Sequence, residues 1–230
     1  MSYIKSYCHI VPGSVWLNGK KTFQIKQKPF MMNDFISAIY SHSGIDYRKF
    51  YKMDALSKLG FLASEILLAG SDREQPKHDM GIVLINRSSS LEADINYQKT
   101  IQDKENFFPS PAEFVYTLPN IVTGEIAIRN KIYGETAFYS CSAFSPATIH
   151  PLIEDTLKYA GIKCALAGWI DVDVYRNYLN CCLMLCSSKM ENKRNSHLSA
   201  GLENIYAGKN ILLTEDNLCE IFYYKKIIYY

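Results

Sequence analysis

The fold turns on residues Gly134 to Trp169, GETAFYSCSAFSPATIHPLIEDTLKYAGIKCALAGW. Their pattern predicts strand, sharp turn, helix, turn and strand. Thr136 to Cys141 is a short β-prone run. Ser145 is a good N-cap, and Pro146 suits the first helical position, where a missing N–H costs nothing. Ile149, Leu152, Ile153, Thr156, Leu157 and Ala160 recur at helical spacing on one face. Gly161 stands where a left-handed C-cap is wanted. Lys163 to Val172 returns as a mostly apolar strand, as the second strand of a buried βαβ unit should. A strand that feeds a helix through a tight turn aims backbone N–H groups into that turn, and enzymes place nucleophiles there.

Outward from this unit the alternation continues. Tyr3 to Val11 reads as a first strand, and Gly13 to Lys28 as a polar connection with a short strand near Phe23–Ile25. Asn33 or Asp34 can cap a short helix through Phe35, Ile36, Ile39 and Tyr40. Met53, Leu56, Leu59, Gly60, Ala63, Ile66 and Leu67 form one stripe of a helix between Tyr51 and Gly70, with Asp54 near its start. Met80 to Ile85 is a continuous apolar run, hence a buried strand. Leu91 to Asn106 reads as partly helical, Phe107 to Asn120 as proline-rich loop, and Ile121 to Asn130 as a helix. Asn180 to Cys186 is a further apolar strand, Lys189 to Ser199 an exposed charged loop, and Ile211–Leu213 with Leu218–Tyr230 a hairpin or edge strands. The order βαβαβαββ predicts an α/β fold: a mixed, mostly parallel sheet with helices on its faces. Residues 1–188 form one domain on this reading, and 189–230 its C-terminal loop and edge-strand extension.

At 230 residues the chain can bury a sizeable core. A net charge of +2 predicts no nucleic-acid or anionic-membrane partner. No apolar run approaches the roughly 18 residues of a membrane span, and no basic stretch leads into an apolar one at the start. Seven cysteines without a disulfide-framework spacing predict reduced thiols and a cytoplasmic setting. Cys181, Cys182 and Cys186 lack zinc-site spacing and read as core thiols. There is neither GxGxxG nor GxxxxGK[ST], so a nucleotide-binding reading lacks its phosphate loop. No cofactor and no metal are expected.

Four segments resemble the N-terminal half of β-ketoacyl synthases, in the thiolase-like superfamily. Tyr51-Lys-Met-Asp-Ala-Leu-Ser-Lys-Leu-Gly-Phe-Leu-Ala63 is similar to the family's early RRMD helix, and Gly81 to Ile85 to the strand after it. Ser110 to Arg129, with Pro111, Phe114, Pro119-Asn120, Gly124 and Ile126-Ala127, resembles its most specific motif. Gly134 to Gly168 resembles the nucleophile-elbow strand, its helix and the LAGG strand. The likeness covers roughly residues 50–172 and is strongest to the small chain-length factors of bacterial aryl-polyene pigment clusters. It implies a thiolase half-fold, a ketosynthase or a second copy as dimer partner, and an acyl carrier protein as a possible contact.

The departures bear on mechanism. Counting from Gly134, or back from Ala167-Gly168, the family's nucleophile falls on Ala143, which cannot carry an acyl group. A condensing enzyme needs a thiolate there. Cys141, two residues earlier, is the fallback nucleophile, and a small strand side chain otherwise. The family's catalytic histidines lie in a second half-fold that this sequence does not include. His9, His42, His78, His150 and His197 match none of its motifs, and His150 reads as a helix-surface residue. The expectation is a non-catalytic subunit of chain-length-factor type, with Phe138, Phe144, Phe114 and Asn120 as candidates for lining an acyl tunnel. The rivals are a condensing or acyl-transfer enzyme using Cys141, and a structural scaffold. The basic loop of Lys189, Lys193 and Arg194 reads as a solvated face before it reads as a carrier-protein contact.

Overall fold

The computed structural model describes residues 2–26, 29–158, 161–189 and 196–206. The chain opens with an antiparallel meander, β1 (Tyr3–Val11), β2 (Ser14–Leu17) and β3 (Lys20–Gln24). Asn18 and Gly19 both take positive φ, 51° and 80°, as a two-residue hairpin between right-twisted strands requires. The connection expected over Gly13–Lys28 is therefore mostly strand. Next come α1 (Met32–His42), a 3₁₀ turn (Arg48–Lys52) and α2 (Ala55–Leu67). Asn33 and Asp34 lie inside the first turn of α1 rather than capping it, since the N-cap residue is Met31. Asp54 does cap α2, its carboxylate accepting from the Ser57 N–H at 2.9 Å.

β4 (Met80–Asn86) precedes α3 (Leu91–Ile101), α4 (Pro111–Tyr116) and α5 (Ile121–Asn130). The segment expected as loop contains α4 because Ser110 caps it, accepting from the Glu113 N–H, and Pro111 starts it. β5 (Thr136–Ser140), α6 (Pro146–Lys158), β6 (Cys164–Asp173) and β7 (Tyr178–Ser187) follow as expected, within a residue or two at their ends. Ile149, Ile153, Thr156 and Leu157 are the buried face of α6, and Gly161 holds φ 73°. Beyond them β8 (Ser196–His197) and α7 (Leu198–Tyr206) occupy part of the expected exposed loop, while the hairpin expected over Ile211–Tyr230 lies outside the described residues.

The strands form one sheet in the order β3-β2-β1-β7-β6-β4-β5, with β8 against β1. The α/β half-fold and its βαβαβαββ order are as expected once the β1–β3 meander counts as one strand unit. The expectation of a mostly parallel sheet needs correcting: among described residues only the β4–β5 and β4–β6 ladders are parallel. β7 follows β6 through a tight turn at Val174–Asn177 and so runs antiparallel to it. It then inserts between β6 and β1, pairing antiparallel with both, although β1, β4, β5 and β6 all point the same way. One strand inserted in this way turns two neighbouring ladders antiparallel.

Helices cover both faces. On one, α2 lies over β1, β6 and β7 with α1 and α5 beside it. α2 is buried nearly all round, from Ala55 to Glu65, because it is both the inner layer under α5 and the cover of the sheet. Gly60 permits this, since a Cβ there would stand 2.6 Å from Val122 of α5. On the other face α6 and α7 enclose a second core of Ile4, Tyr7, Val83, Ile85, Ile149, Ile153 and Trp169.

Glu92, in the first turn of α3, is a half-buried carboxylate close to Asp54 and Glu113. Burial pushes its pKa from 4.5 up to about 7, and the Asp54 charge adds to this. The folded chain thus holds this proton more tightly than the unfolded chain. The stabilisation is complete below pH 4.5, falls as the pH climbs to about 7, and is lost above that. Glu92→Gln is expected to raise stability by about 1–2 kcal/mol at about pH 8 and to change it little at about pH 4, after allowance for solvent screening. Urea melts at the two pH values check this; equal shifts at both would contradict it.

Candidate functional site

The carboxyl ends of β4, β5 and β6 meet at one edge of the sheet, where open α/β sheets place their binding crevices. The β4–α3 turn is braced from three sides. The Asn86 side-chain oxygen accepts from the Ser89 N–H at 2.9 Å, and its amide donates to the Ser89 carbonyl at 2.8 Å. Ser89 itself takes φ 52°. Asp171, near the end of β6 and 1% exposed, accepts from the backbone N–H groups of Arg87 and Ser88 and pairs with the Arg87 guanidinium at 3.2 Å. A buried carboxylate left without such donors would cost several kcal/mol. Ser90 ties the same turn to the end of α4 by donating to the Thr117 carbonyl at 2.7 Å.

The elbow lies beside this turn. Cys141 donates its backbone N–H to the Asn86 carbonyl at 2.8 Å, which prolongs the β4–β5 ladder by one residue. Its half-buried side chain packs against the α6-side core. Ser142 and Ala143 form the bend and are exposed, and α6 starts at Pro146. The Ser145 carbonyl accepts the first helical bond, from the Ile149 N–H at 2.9 Å. Phe144 turns inward, its ring meeting that of Trp169 edge-on at 6.2 Å and 89°. Trp169 is 5% exposed, so the two rings fill the space beneath the bend. Ala143 is thus exposed in the bend, next in sequence to the Phe144 ring that packs on Trp169.

The other predicted residues lie apart from this ring pair. Phe138 packs into the α2-side core, on the opposite face of the sheet. Phe114, on α4, is exposed and touches the Tyr97 ring at 5.3 Å. Asn120 is exposed at the start of α5, where it caps through its carbonyl and not its side chain. Cys181, Cys182 and Cys186 are fully buried in β7, and burial pushes their thiols up, Cys182 to about 12. They are protonated core side chains. His150 pairs with Glu154 at 3.7 Å on the α6 surface, His78 stacks on Tyr133 and His42 on Phe23. His9, whose pKa burial lowers to about 4, lies in β1. Of the basic loop, Lys193 and Arg194 lie outside the described residues.

Trp169 and Asp171 were not singled out from the sequence, and Asn86-Arg87-Ser88 stood out there only as a match to a glycosylation sequon, not as part of a site. A lone carboxylate inside the apolar run Ala165–Val172 was a usable signal, since a buried charge demands partners. Nothing local marked Trp169, whose role depends on Phe144 returning over it.

The sheet order, the two helical layers and the strand–bend–helix unit define an α/β half-fold with helices on both faces of one mixed sheet. No family model and no curated protein matches the chain. Solved structures do match it. The ishigamide ketosynthase/chain length factor aligns with TM-score 0.58 and 15% identity, over 84% of this chain and 63% of the other. A ketosynthase (ApeO) in complex with its chain length factor (ApeC) from Xenorhabdus doucetiae aligns with TM-score 0.53 and 16% identity, over 83% and 81%. A type II polyketide acyl-carrier protein complexed with its ketosynthase (AntDE:AntF) aligns with TM-score 0.55 and 12% identity, over 81% and 62%. The chain thus spans under two thirds of the length of the first and third of these. At these identities the likeness is one of fold.

Among the described residues, no helix is long and apolar enough to cross a membrane.

Proposed function

We propose that this chain is a non-catalytic β-ketoacyl synthase-like subunit of chain-length-factor type. On this reading it acts in the cytoplasm beside a ketosynthase, in fatty-acid, polyketide or aryl-polyene-type biosynthesis. The observation that carries the proposal is the bend between β5 and α6, with exposed Ala143 in it and the following Phe144 packed edge-on against Trp169. Decarboxylative condensation needs a thiolate to form the acyl thioester and groups that activate the decarboxylating partner. Ala143 offers no nucleophile, and His42, His78 and His150 are engaged away from the bend. The partner ketosynthase supplies those groups. This chain supplies a wall, with Phe144 and Trp169 setting how far a growing chain can extend.

The partner surface is the β5 edge. β5 ends the sheet and pairs only with β4 among the described strands. Tyr139 on β5 is exposed, and an unpaired strand edge carrying an exposed aromatic ring offers a docking edge. Phe107, Phe108, Phe114, Val115 and Leu118, on and around α4, are exposed as well. The acyl carrier protein would meet the assembled pair.

The test is purification of the chain from its native cell, followed by analysis of the product made by the recovered complex. A ketosynthase should co-purify, and Cys141→Ala should leave product yield within about twofold. Phe144→Ala should lengthen the product by opening the space beneath the bend. An acyl adduct on Cys141, with activity lost in Cys141→Ala, would instead identify a condensing enzyme with a displaced nucleophile. A chain that neither binds a ketosynthase nor affects product length would be a scaffold.

A further inference from the structure

On the α2-side face of the sheet, away from the elbow, the β2–β3 hairpin and the C-terminal ends of α1 and α2 enclose a cavity of about 410 Å³. That is the size at which pockets take small ligands. One wall is apolar: Val15, Leu17, Phe23, Ile39 and Ile66. Another wall is charged. Glu65, 1% exposed in its side chain, accepts from Arg129 Nε at 3.4 Å and Nη2 at 3.2 Å, and from Arg73 Nη2 at 3.1 Å. One carboxylate therefore faces two guanidinium groups, leaving one positive charge in excess on this wall, where the Arg73 side chain is 32% exposed. Asp46 lines the cavity too, but as an exposed residue at its rim. Arg129 is further fixed by the face of Tyr47, 4.8 Å from its guanidinium carbon. Arg73 Nε is buried and has no acceptor. A buried donor left unpaired is destabilising, and an incoming acceptor would relieve that.

We propose that this cavity binds a small amphipathic carboxylate, its head group on Arg73 and its alkyl tail along the Val15–Leu17–Phe23 wall. The carboxylate accepts from Arg73 Nε and balances the excess charge, and Glu65 keeps both guanidinium groups in place. Gly44 at the mouth has open space on its Cβ side, so the tail can reach solvent there.

Calorimetric titration of the full-length chain with octanoate tests this, with octan-1-ol as the uncharged analogue of equal tail. Octanoate is expected to bind with one-to-one stoichiometry, and octan-1-ol at least tenfold more weakly. Arg73→Met should weaken octanoate by about tenfold or more, the loss of one charge-assisted contact. Because Arg73→Met also loosens the Glu65 pair, Ala69→Trp is the second variant. It fills the cavity from an exposed lining position and leaves every charge in place. Ala69→Trp should abolish binding with an unchanged thermal midpoint. No saturable binding up to millimolar octanoate, equal binding of the alcohol, or undiminished binding to folded Ala69→Trp would each overturn the proposal.

Discussion

Gly168→Ala is expected to yield no soluble, cooperatively folding protein. Gly168 lies in β6, directly between Leu84 of β4 and Leu183 of β7. A Cβ at this position would overlap the Cys182 carbonyl oxygen and stand 3.0 Å from the Leu183 Cα. Both obstacles are backbone of an adjacent, hydrogen-bonded strand in mid-sheet, so no side chain can swing away to make room. The cost should exceed about 4 kcal/mol, a large part of the ~5–15 kcal/mol that holds an ordinary domain. Gly124→Ala is the matched control. Its Cβ would meet nothing within 4 Å, in the interior of helix α5, and it should stabilise by about 0.5–1 kcal/mol. Urea unfolding of both variants decides the matter; a Gly168→Ala midpoint equal to the parent's would refute it.

The second large effect concerns the partner. The double variant Phe108→Glu, Tyr139→Glu places one charge beside α4 and one on the β5 edge of the proposed partner surface, at positions 78% and 41% exposed. Neither side chain belongs to a core cluster, so the thermal midpoint should move little. Burying two unpaired carboxylates against a partner should nevertheless weaken ketosynthase association at least about a hundredfold. Co-purification and analytical ultracentrifugation read this directly. Full retention of the partner by the folded variant would remove the β5 edge as the interface.

Elements whose pattern is self-sufficient were legible in the sequence. The stripe of α2 with its Asp54 cap, the continuous apolar run of β4, and the Ser145-Pro146 start and Gly161 stop of α6 each state their own conformation. β4 and α6 appear in the structure within a residue or two, while α2 runs Ala55–Leu67, shorter than the Tyr51–Gly70 span expected because Asp54 caps it and Arg48–Lys52 is a separate 3₁₀ turn. The β2–β3 hairpin was legible in principle, because Asn18-Gly19 is a hairpin signal, but its strands are too short and polar to show alternation. α4 was obscured by the prolines around it, although Ser110-Pro111 is a helix start. α7 lies next to a charged loop whose composition suggested continued exposure, whereas Leu202 buries fully under the sheet.

The candidate site divides in the same way. That Gly134–Trp169 is a strand–bend–helix–strand unit follows from its residue pattern, and the resemblance then implies that Ala143 stands at the family's nucleophile position. That Phe144 closes over Trp169 does not follow, because those rings are 25 positions apart in the chain and meet only when β6 lies beneath the start of α6. Phe138 was grouped with Phe144 on proximity in sequence, yet the pleat of β5 sends it to the opposite face.

Local residue patterns thus settled α2, β4, β5, α6, β6 and β7 and their order, because capping, periodicity and side-chain identity are short-range properties. Strand direction was settled elsewhere: β7 lies between β6 and β1, and this converts a run of like-pointing strands into a mostly antiparallel ladder set. The Phe144–Trp169 ring pair, the braces on Asn86 and Asp171, and the Glu65–arginine cavity likewise join residues distant along the chain. Such contacts depend on which surfaces pack together, a choice made by the burial of the whole core and not by any one segment.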